Sequence, residues 1–330
     1  MRILITGGSG FIGTHAVEWF LSRGIQVLNL DCKSPKLAAH AGCFKKQDIM
    51  DREGMTLAFH QFAPTHVLHL AARTDTLSDV LTDYNVNIEG TANVLAAVQA
   101  TPSVERVIIT STQYVNQFHG VPAHDLDYAP HTVYGESKVE TERLTRAAGL
   151  SCAWTLIRPT NIWGPYHPRY AQEFWRVLRQ GRYIHPSTDH PVVRSYGYVE
   201  NVVFQIAALF EQPVEKVNKQ VFYVGDRPRD LYDWVNGFSL AINGKEVRSM
   251  PAILLRYVAL VGDLLKLFGI PFPLHSIRFK NMISSNDAPM EKTYALLGEP
   301  PYSLSQGIQR SVNWLRQEDP VFWSSQAKQH

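Results

Sequence analysis

The feature that most constrains this chain lies at its start. The apolar run Ile3-Leu4-Ile5 breaks into Thr6-Gly7-Gly8-Ser9-Gly10-Phe11-Ile12-Gly13, which satisfies both G-x-G-x-x-G and G-x-x-G-x-x-G spacing. A Cβ at these glycines would obstruct a tight turn, the approach of backbone to a pyrophosphate, and close packing of helix on strand. Between a strand and a helix, such a loop turns free N–H groups and the positive end of the helix dipole towards phosphate. Asp31 ends the next apolar run, where a carboxylate accepts a ribose 2′-hydroxyl and repels a 2′-phosphate, favouring NAD over NADP. Lys33, two residues on, works against that repulsion.

The pattern continues as a repeated alternation. Strands are predicted at Arg2–Thr6, Gln26–Leu30, Thr65–Leu70, Arg106–Thr110 and Ala153–Ile157, each nearly continuous in apolar residues as strands buried on both faces are. Helices are predicted at Phe11–Arg23, Arg52–Phe62, Asn87–Ala100 and Val133–Ala148, where apolar residues return every three or four positions, and Gly24 and Gly149 follow two of them as C-terminal caps. The expected fold is α/β, a Rossmann-type doubly wound parallel sheet. After residue 160 the alternation gives way to an aromatic and proline-rich segment containing Trp163, Pro165, Tyr166, Pro168, Tyr170, Phe174 and Trp175. It resumes with a helix at Val199–Phe210 and a strand at Gln220–Val224. Residues 1–160, with contributions near 199–225, are therefore assigned to a dinucleotide-binding domain, and 161–330 to a smaller, interleaved C-terminal substrate lobe.

Composition narrows the classes further. The net charge is +2 with basic residues scattered, which is no nucleic-acid footprint. Cys32, Cys43 and Cys152 are odd in number and lack C-x-x-C spacing, so neither a disulfide framework nor a metal site is expected. The start of the chain lacks the pattern of a secretory signal, and a cytoplasmic protein is expected. The apolar window Pro251–Leu274 carries Arg256, Asp263 and Lys266, each costly at a bilayer centre, so no membrane span is predicted.

Tyr134-Gly135-Glu136-Ser137-Lys138 sets a phenol and an ammonium four residues apart on one predicted helix face. A neighbouring cation stabilises phenolate and draws the phenol towards the range of a general base. Ser111 and Thr112 end the strand Arg106–Thr110, at the sheet edge where open α/β folds bind ligands, and a hydroxyl there can bond both a substrate oxygen and the tyrosine.

With these residues in hand, the chain resembles the extended short-chain dehydrogenases/reductases of the NAD-dependent nucleotide-sugar epimerase/dehydratase family. The resemblance rests on Gly7 to Gly13, Asp48-Ile49, His69-Leu70-Ala71-Ala72, Asn87 before Gly90-Thr91, Tyr134 to Lys138, and Arg158 to Pro165. It implies catalysis by Thr112, Tyr134 and Lys138. It implies an NAD site drawn from Gly7, Gly10, Phe11, Ile12, Gly13, Asp31, Asp48, Ile49, Leu70, Ala71, Ala72, Asn87, Tyr134 and Lys138. In that site Asp48 and Ile49 meet adenine, Ala71 and Ala72 line the cofactor channel, and Lys138 holds the nicotinamide ribose. On the substrate side it implies Thr74, Thr112, Gln113, Asn161 and Arg194, the last as a clamp on diphosphate. It also implies a homodimer through the helices Asn87–Ala100 and Val133–Ala148, whose exposed apolar residues favour burial.

The departures from the family pattern are as informative. Where sugar dehydratases carry an Asp-Glu pair, Gln113 and Tyr114 stand, and neither is a carboxylic acid or base. Val115-Asn116-Gln117 replaces the usual Val-Tyr-Gly. Pro251–Leu274, with Leu296-Leu297-Gly298 and Trp314, resembles the 3β-hydroxysteroid dehydrogenase branch. Ile253, Tyr257, Val261, Leu264, Leu265 and Phe268 form a broad apolar face, expected to pack on the substrate lobe or a partner subunit in preference to a membrane surface. Three functions follow: an epimerase or related oxidoreductase of a nucleotide sugar, a dehydrogenase of an apolar alcohol, and a non-catalytic NAD sensor.

Overall fold

Seven short parallel strands carry the site. In the computed structural model, which describes residues 1–117, 121–171, 173–270, 272–318 and 320–323, these are β1 (Arg2–Thr6), β2 (Gln26–Asp31), β3 (Phe44–Lys46), β4 (His66–His69), β5 (Arg106–Thr110), β6 (Ala153–Pro159) and β7 (Gln220–Val224). Their order across the sheet is β7-β6-β5-β4-β1-β2-β3. β2 and β3 lie to one side of β1 and β4 to β7 to the other, so the topology reverses at β1/β4, where sheets of this kind bind ligands. The register pairs Thr6 with Leu30 and with His69, and Thr110 with Ile157, which aligns the carboxyl ends of the central strands along one edge.

Helices α1 (Phe11–Leu21), α2 (Arg52–Phe62), α3 (Asn85–Gln99), α4 (Val133–Ala147) and α5 (Val199–Glu211) belong with this sheet. Local chemistry marks several ends. The Asp51 carboxylate accepts the Gly54 N–H at 3.0 Å to start α2, and the Thr132 hydroxyl accepts the Gly135 N–H at 3.0 Å to start α4. Gly24 and Gly149 close α1 and α4 at φ of +70° and +61°, where a side chain would be strained. Leu4, Met55, Phe59, Val67, Val94 and Ile109 are core residues under α2 and α3.

The chain forms two compact units. The first comprises residues 1–162, 197–226 and 289–301; the second comprises 163–196, 227–288 and 302–330. Residues 289–301 thus join the sheet unit, where the Thr293 hydroxyl donates to the Tyr223 carbonyl at 2.6 Å. The second unit contains α6 (Leu231–Asn243), α7 (Ala252–Leu267), α8 (Ser276–Ile283) and α9 (Leu304–Glu318).

Two expectations about surfaces change. No large apolar residue is exposed on α3 or α4; their exposed positions include Glu89, Gln99, Glu136 and Arg143, because the apolar sides of both helices are already spent on the core and on each other. The apolar face of α7, expected to pack on the substrate lobe or a partner subunit, is largely not covered by the rest of this chain. Only Leu255, Ala259 and Gly262 are buried, while Ile253, Tyr257, Val261, Leu264 and Phe268 are exposed. Small residues explain the inversion: a Cβ on Gly262 would overlap the Leu274 carbonyl, so the returning chain lies on the Ala259/Gly262 stripe and the large side chains point away. Among the described residues no helix is long and apolar enough to cross a membrane.

Candidate active site

The glycine loop follows β1, and its geometry depends on missing side chains. Gly7 sits at φ +75°, and a Cβ there would come within 2.6 Å of the Ala71 nitrogen; a Cβ on Gly13 would overlap the Gly7 carbonyl. The loop therefore rests directly on the segment leaving β4, and α1 rests directly on the loop. Gly10 caps α1 with no side-chain hydrogen bond, so the helix N-terminus is left available to a phosphate. Asp31 ends β2 with one carboxylate oxygen accepting the Ser9 N–H at 3.0 Å and the other accepting the Lys33 N–H at 2.9 Å. This carboxylate ties loop to strand and keeps acceptor capacity for a ribose hydroxyl. The bare helix end, the Cβ-free cradle and the acid beside it fit a dinucleotide.

The remaining cofactor candidates divide by how their side chains are used. Leu70, Ala71 and Ala72 are half-buried behind Gly7, and Asp48 is exposed, its carboxylate accepting the Met50 N–H at 2.9 Å. Ile49 is a core side chain packed over Gly90, where any Cβ would collide with it. Asn87 is fully buried. Its amide accepts the Arg73 N–H at 2.8 Å and donates to the Arg73 carbonyl at 3.0 Å and the Ser137 hydroxyl at 2.9 Å. Asn87 thereby joins the segment after β4 to α4 at Ser137, between Tyr134 and Lys138. Beneath it, His69 is clamped between the hydroxyls of Thr6 at 2.7 Å and Thr91 at 3.0 Å, and burial lowers it to about 3.

Tyr134 and Lys138 lie one turn apart on α4, both buried. The Thr112 side chain, just beyond β5, lies beside the Tyr134 phenol and favours its ionised form, while its hydroxyl accepts the Tyr114 N–H at 3.3 Å. Yet burial is the larger influence and pushes the phenol above its ordinary value of 10. Spacing alone implies that Lys138 draws Tyr134 down; in the folded chain the burial of both groups works against it. Lys138 is itself lowered by burial, opposed by Glu142, to about 8. Each of the pair resists the charge the other would stabilise.

Ser111 and Thr112 part company here. The Ser111 hydroxyl donates to the Glu142 carboxylate at 2.6 Å, and Arg158 meets the same carboxylate at 2.8 and 2.9 Å, all fully within the protein. Asn116 joins this network, its amide oxygen accepting from Arg158 at 3.3 Å and from the Tyr223 hydroxyl. The replaced loop residue and Arg158 are thus parts of one buried polar cluster behind the site.

On the open side, the Tyr114 ring meets that of Tyr134 edge-on at 6.3 Å, and its hydroxyl donates to the Asn161 amide oxygen at 3.4 Å. Tyr84, fully buried, packs on Tyr134 at 6.2 Å. Neither tyrosine is recognisable as a site residue from spacing; Tyr114 stands out only as a missing carboxylate. Gln113 is buried, and neither end of its amide has a hydrogen-bond partner among the described residues. Thr74 is exposed on the segment after β4. Arg194 belongs to the second unit, almost fully buried, with one guanidinium nitrogen donating to the Asn281 carbonyl. No group of His, Cys, Asp or Glu side chains suited to a metal gathers among the described residues.

Fold and site together define a dinucleotide-dependent α/β enzyme. A family model for the NAD dependent epimerase/dehydratase family matches residues 3–225, and the chain belongs to that family, with NAD as its cofactor. It is similar, at 26% identity over 329 residues and 95% of each chain, to the N-acetyl-alpha-D-glucosaminyl-diphospho-ditrans,octacis-undecaprenol 4-epimerase of Escherichia coli O157:H7. It is also similar, at 27% identity over 93% of this chain and 88% of the relative, to a 3 beta-hydroxysteroid dehydrogenase/Delta 5-->4-isomerase of Mycobacterium tuberculosis. Among solved structures, the UDP-glucose 4-epimerase of Thermus thermophilus in complex with NAD superposes with a TM-score of 0.71 at 26% identity, covering 96% of this chain and 100% of that one.

Proposed function

We propose that this enzyme epimerises a hydroxyl-bearing carbon of a sugar carried on a diphosphate, with a nucleotide sugar as the first substrate class. The observation that carries the reading is the gathering of Thr112, just beyond β5, with Tyr134 and, one helical turn along α4, the buried Lys138. Tyr134 takes the proton of the reacting hydroxyl, and Thr112 holds the same oxygen through the change from alcohol to ketone. Lys138, when protonated, offsets the charge gathered on Tyr134 and orients the ribose beside it. NAD, when bound, supplies the acceptor and later the donor of hydride. Epimerisation then requires the ketone to present its other face before Tyr134 returns the proton, with no net consumption of cofactor.

Gln113 and Tyr114 favour this over elimination of water, since neither supplies a carboxylic acid or base. The unpartnered amide of Gln113 offers the sugar one acceptor and a pair of donors, and Asn161 a second amide. Arg194 is assigned to the diphosphate on chemical grounds, as a guanidinium fork matching phosphate oxygens.

A second reading replaces the nucleoside with a polyprenyl chain on the diphosphate. The similarity to the undecaprenol-linked sugar epimerase along 95% of both chains, and the exposed apolar face of α7, favour it. The test is to denature the purified protein and identify released NAD, then measure thermal stabilisation by UDP-, GDP-, CDP- and dTDP-sugars and by a short-chain polyprenyl-diphosphate sugar. Retained NAD with stabilisation by one of these supports the proposal. Stabilisation by a sterol alone would overturn it.

A further inference from the structure

We infer that the outward face of α7 is a docking surface for an anionic lipid bilayer, on which the enzyme lies without crossing it. This goes beyond the reading of the catalytic site and does not depend on which carrier the sugar has.

Ile253, Tyr257, Leu260, Val261, Leu264 and Phe268 recur at intervals of three and four residues, which places them on one side of a helix about 24 Å long at 1.5 Å per residue. All are exposed, Tyr257 at 60% and Phe268 at 74%, and Leu267 beside them at 83%. The opposite side of α7 packs on Phe279 of α8 and on Ile184 and Met250, so the helix is held with its larger apolar side outward. That is the reverse of a helix facing its own core, and an apolar strip of this size on a folded chain marks a surface that meets another phase or partner.

Charge selects the partner. Between residues 252 and 283 the cations are Arg256, Lys266, Arg278 and Lys280, against the single acid Asp263. The four cations are exposed, whereas Asp263 is tied to Ser276, accepting its N–H at 3.2 Å and its hydroxyl. Exposed apolar side chains with exposed cations on the same helix and on its neighbour α8 suit the boundary between acyl chains and anionic headgroups. A two-fold contact with a second copy would set the same cations against one another. Since no described helix is long and apolar enough to cross a membrane, α7 lies in the interface plane.

Full-length protein mixed with phosphatidylcholine vesicles containing phosphatidylglycerol is expected to sediment with them at low salt, and several-fold less in half-molar salt. The variant Val261→Glu/Leu264→Glu, altered only at exposed positions, is expected to lose at least tenfold in vesicle affinity while its thermal midpoint stays within a few degrees. Arg278→Glu/Lys280→Glu is expected to lose binding to anionic vesicles at low salt. Tyr134→Phe is expected to bind vesicles as the parent does, which separates this inference from the catalytic one. A parent protein that stays in the supernatant at high lipid would overturn the inference. So would a Val261→Glu/Leu264→Glu variant that binds unchanged, or one that merely splits a dimer which never bound vesicles.

Discussion

The hydroxyl of Ser111 donates to the Glu142 carboxylate at 2.6 Å, while that of its neighbour Thr112 accepts the Tyr114 N–H at 3.3 Å beside the Tyr134 phenol. Adjacent residues at the end of β5 therefore face opposite tasks. Thr112→Val, which keeps the shape and removes the hydroxyl, is expected to lower kcat by about 10²-fold or more, the scale of losing one oxygen-stabilising donor. Ser111→Ala is expected to keep kcat within a few-fold and to lose about 1–3 kcal/mol of stability, since Glu142 is left short of a partner in a dry site. Steady-state kinetics and urea unfolding of the two variants check this; a swap of the two phenotypes would contradict it.

Behind that serine, the Arg158–Glu142 pair tests whether buried charge or shape matters more. Arg158→Met strands a buried carboxylate and is expected to cost about 3–5 kcal/mol, or to prevent folding. The double variant Arg158→Met/Glu142→Leu is expected to recover much of that loss. Denaturant unfolding of the single and double variants reads the coupling directly, and additive losses would show that the pair acts only by packing.

How much of this can be read in advance divides by range along the chain. The limits of β1, β5, β7 and α2 follow from sequence because apolar period and capping chemistry act locally. The Phe44–Lys46 strand does not, because two lysines at a sheet edge carry no strand pattern. Tyr134 and Lys138 are legible from one helical turn, whereas Tyr84 and Tyr114 reach Tyr134 from separate elements, and no spacing encodes that. For α7 periodicity reveals an apolar face but not which way it points; the Ala259/Gly262 stripe is the available signal. The burial of Tyr134 and Lys138, which opposes the charged form of each, is likewise not displayed by a sequence.

Lys138 carries a pH signature. Its folded value of about 8 lies below the ordinary 10.5. Above both values the amine is neutral folded or unfolded and contributes nothing. Between them the unfolded chain holds a proton that the folded chain does not, so the folded state loses ground as pH falls, and below about 8 the full cost is present. Lys138→Met keeps the volume and removes the cost. In the cofactor-free protein it is expected to gain up to about 3 kcal/mol at pH 7 and progressively less towards pH 10. Urea unfolding across that range checks it, and a variant less stable than the parent at pH 7 would contradict it. Turnover in the same variant is expected to be lost.

Gly13→Ala addresses the cradle. The added methyl must displace α1 from the Gly7 carbonyl, so NAD retained through purification is expected to fall at least tenfold, with some stability lost as well. Chromatography of the nucleotide released by acid provides the reading. Gly24→Ala is the control: its site is open to a Cβ but sits at φ +70°, so it is expected to lose stability and retain NAD.

The central claim is that Tyr134, beside Thr112 and Lys138, moves the proton of a sugar hydroxyl and returns it without net loss of NAD. Its most direct test is to incubate parent and Tyr134→Phe proteins with the diphosphate-linked sugar that stabilises them, following both epimers by chromatography and reduced nicotinamide by absorbance. The account predicts interconversion of two epimers by the parent with no build-up of reduced cofactor, and a fall of about 10³-fold in Tyr134→Phe, within the range of general acid–base catalysis. Unchanged interconversion by Tyr134→Phe, or stoichiometric accumulation of reduced nicotinamide by the parent, would contradict it.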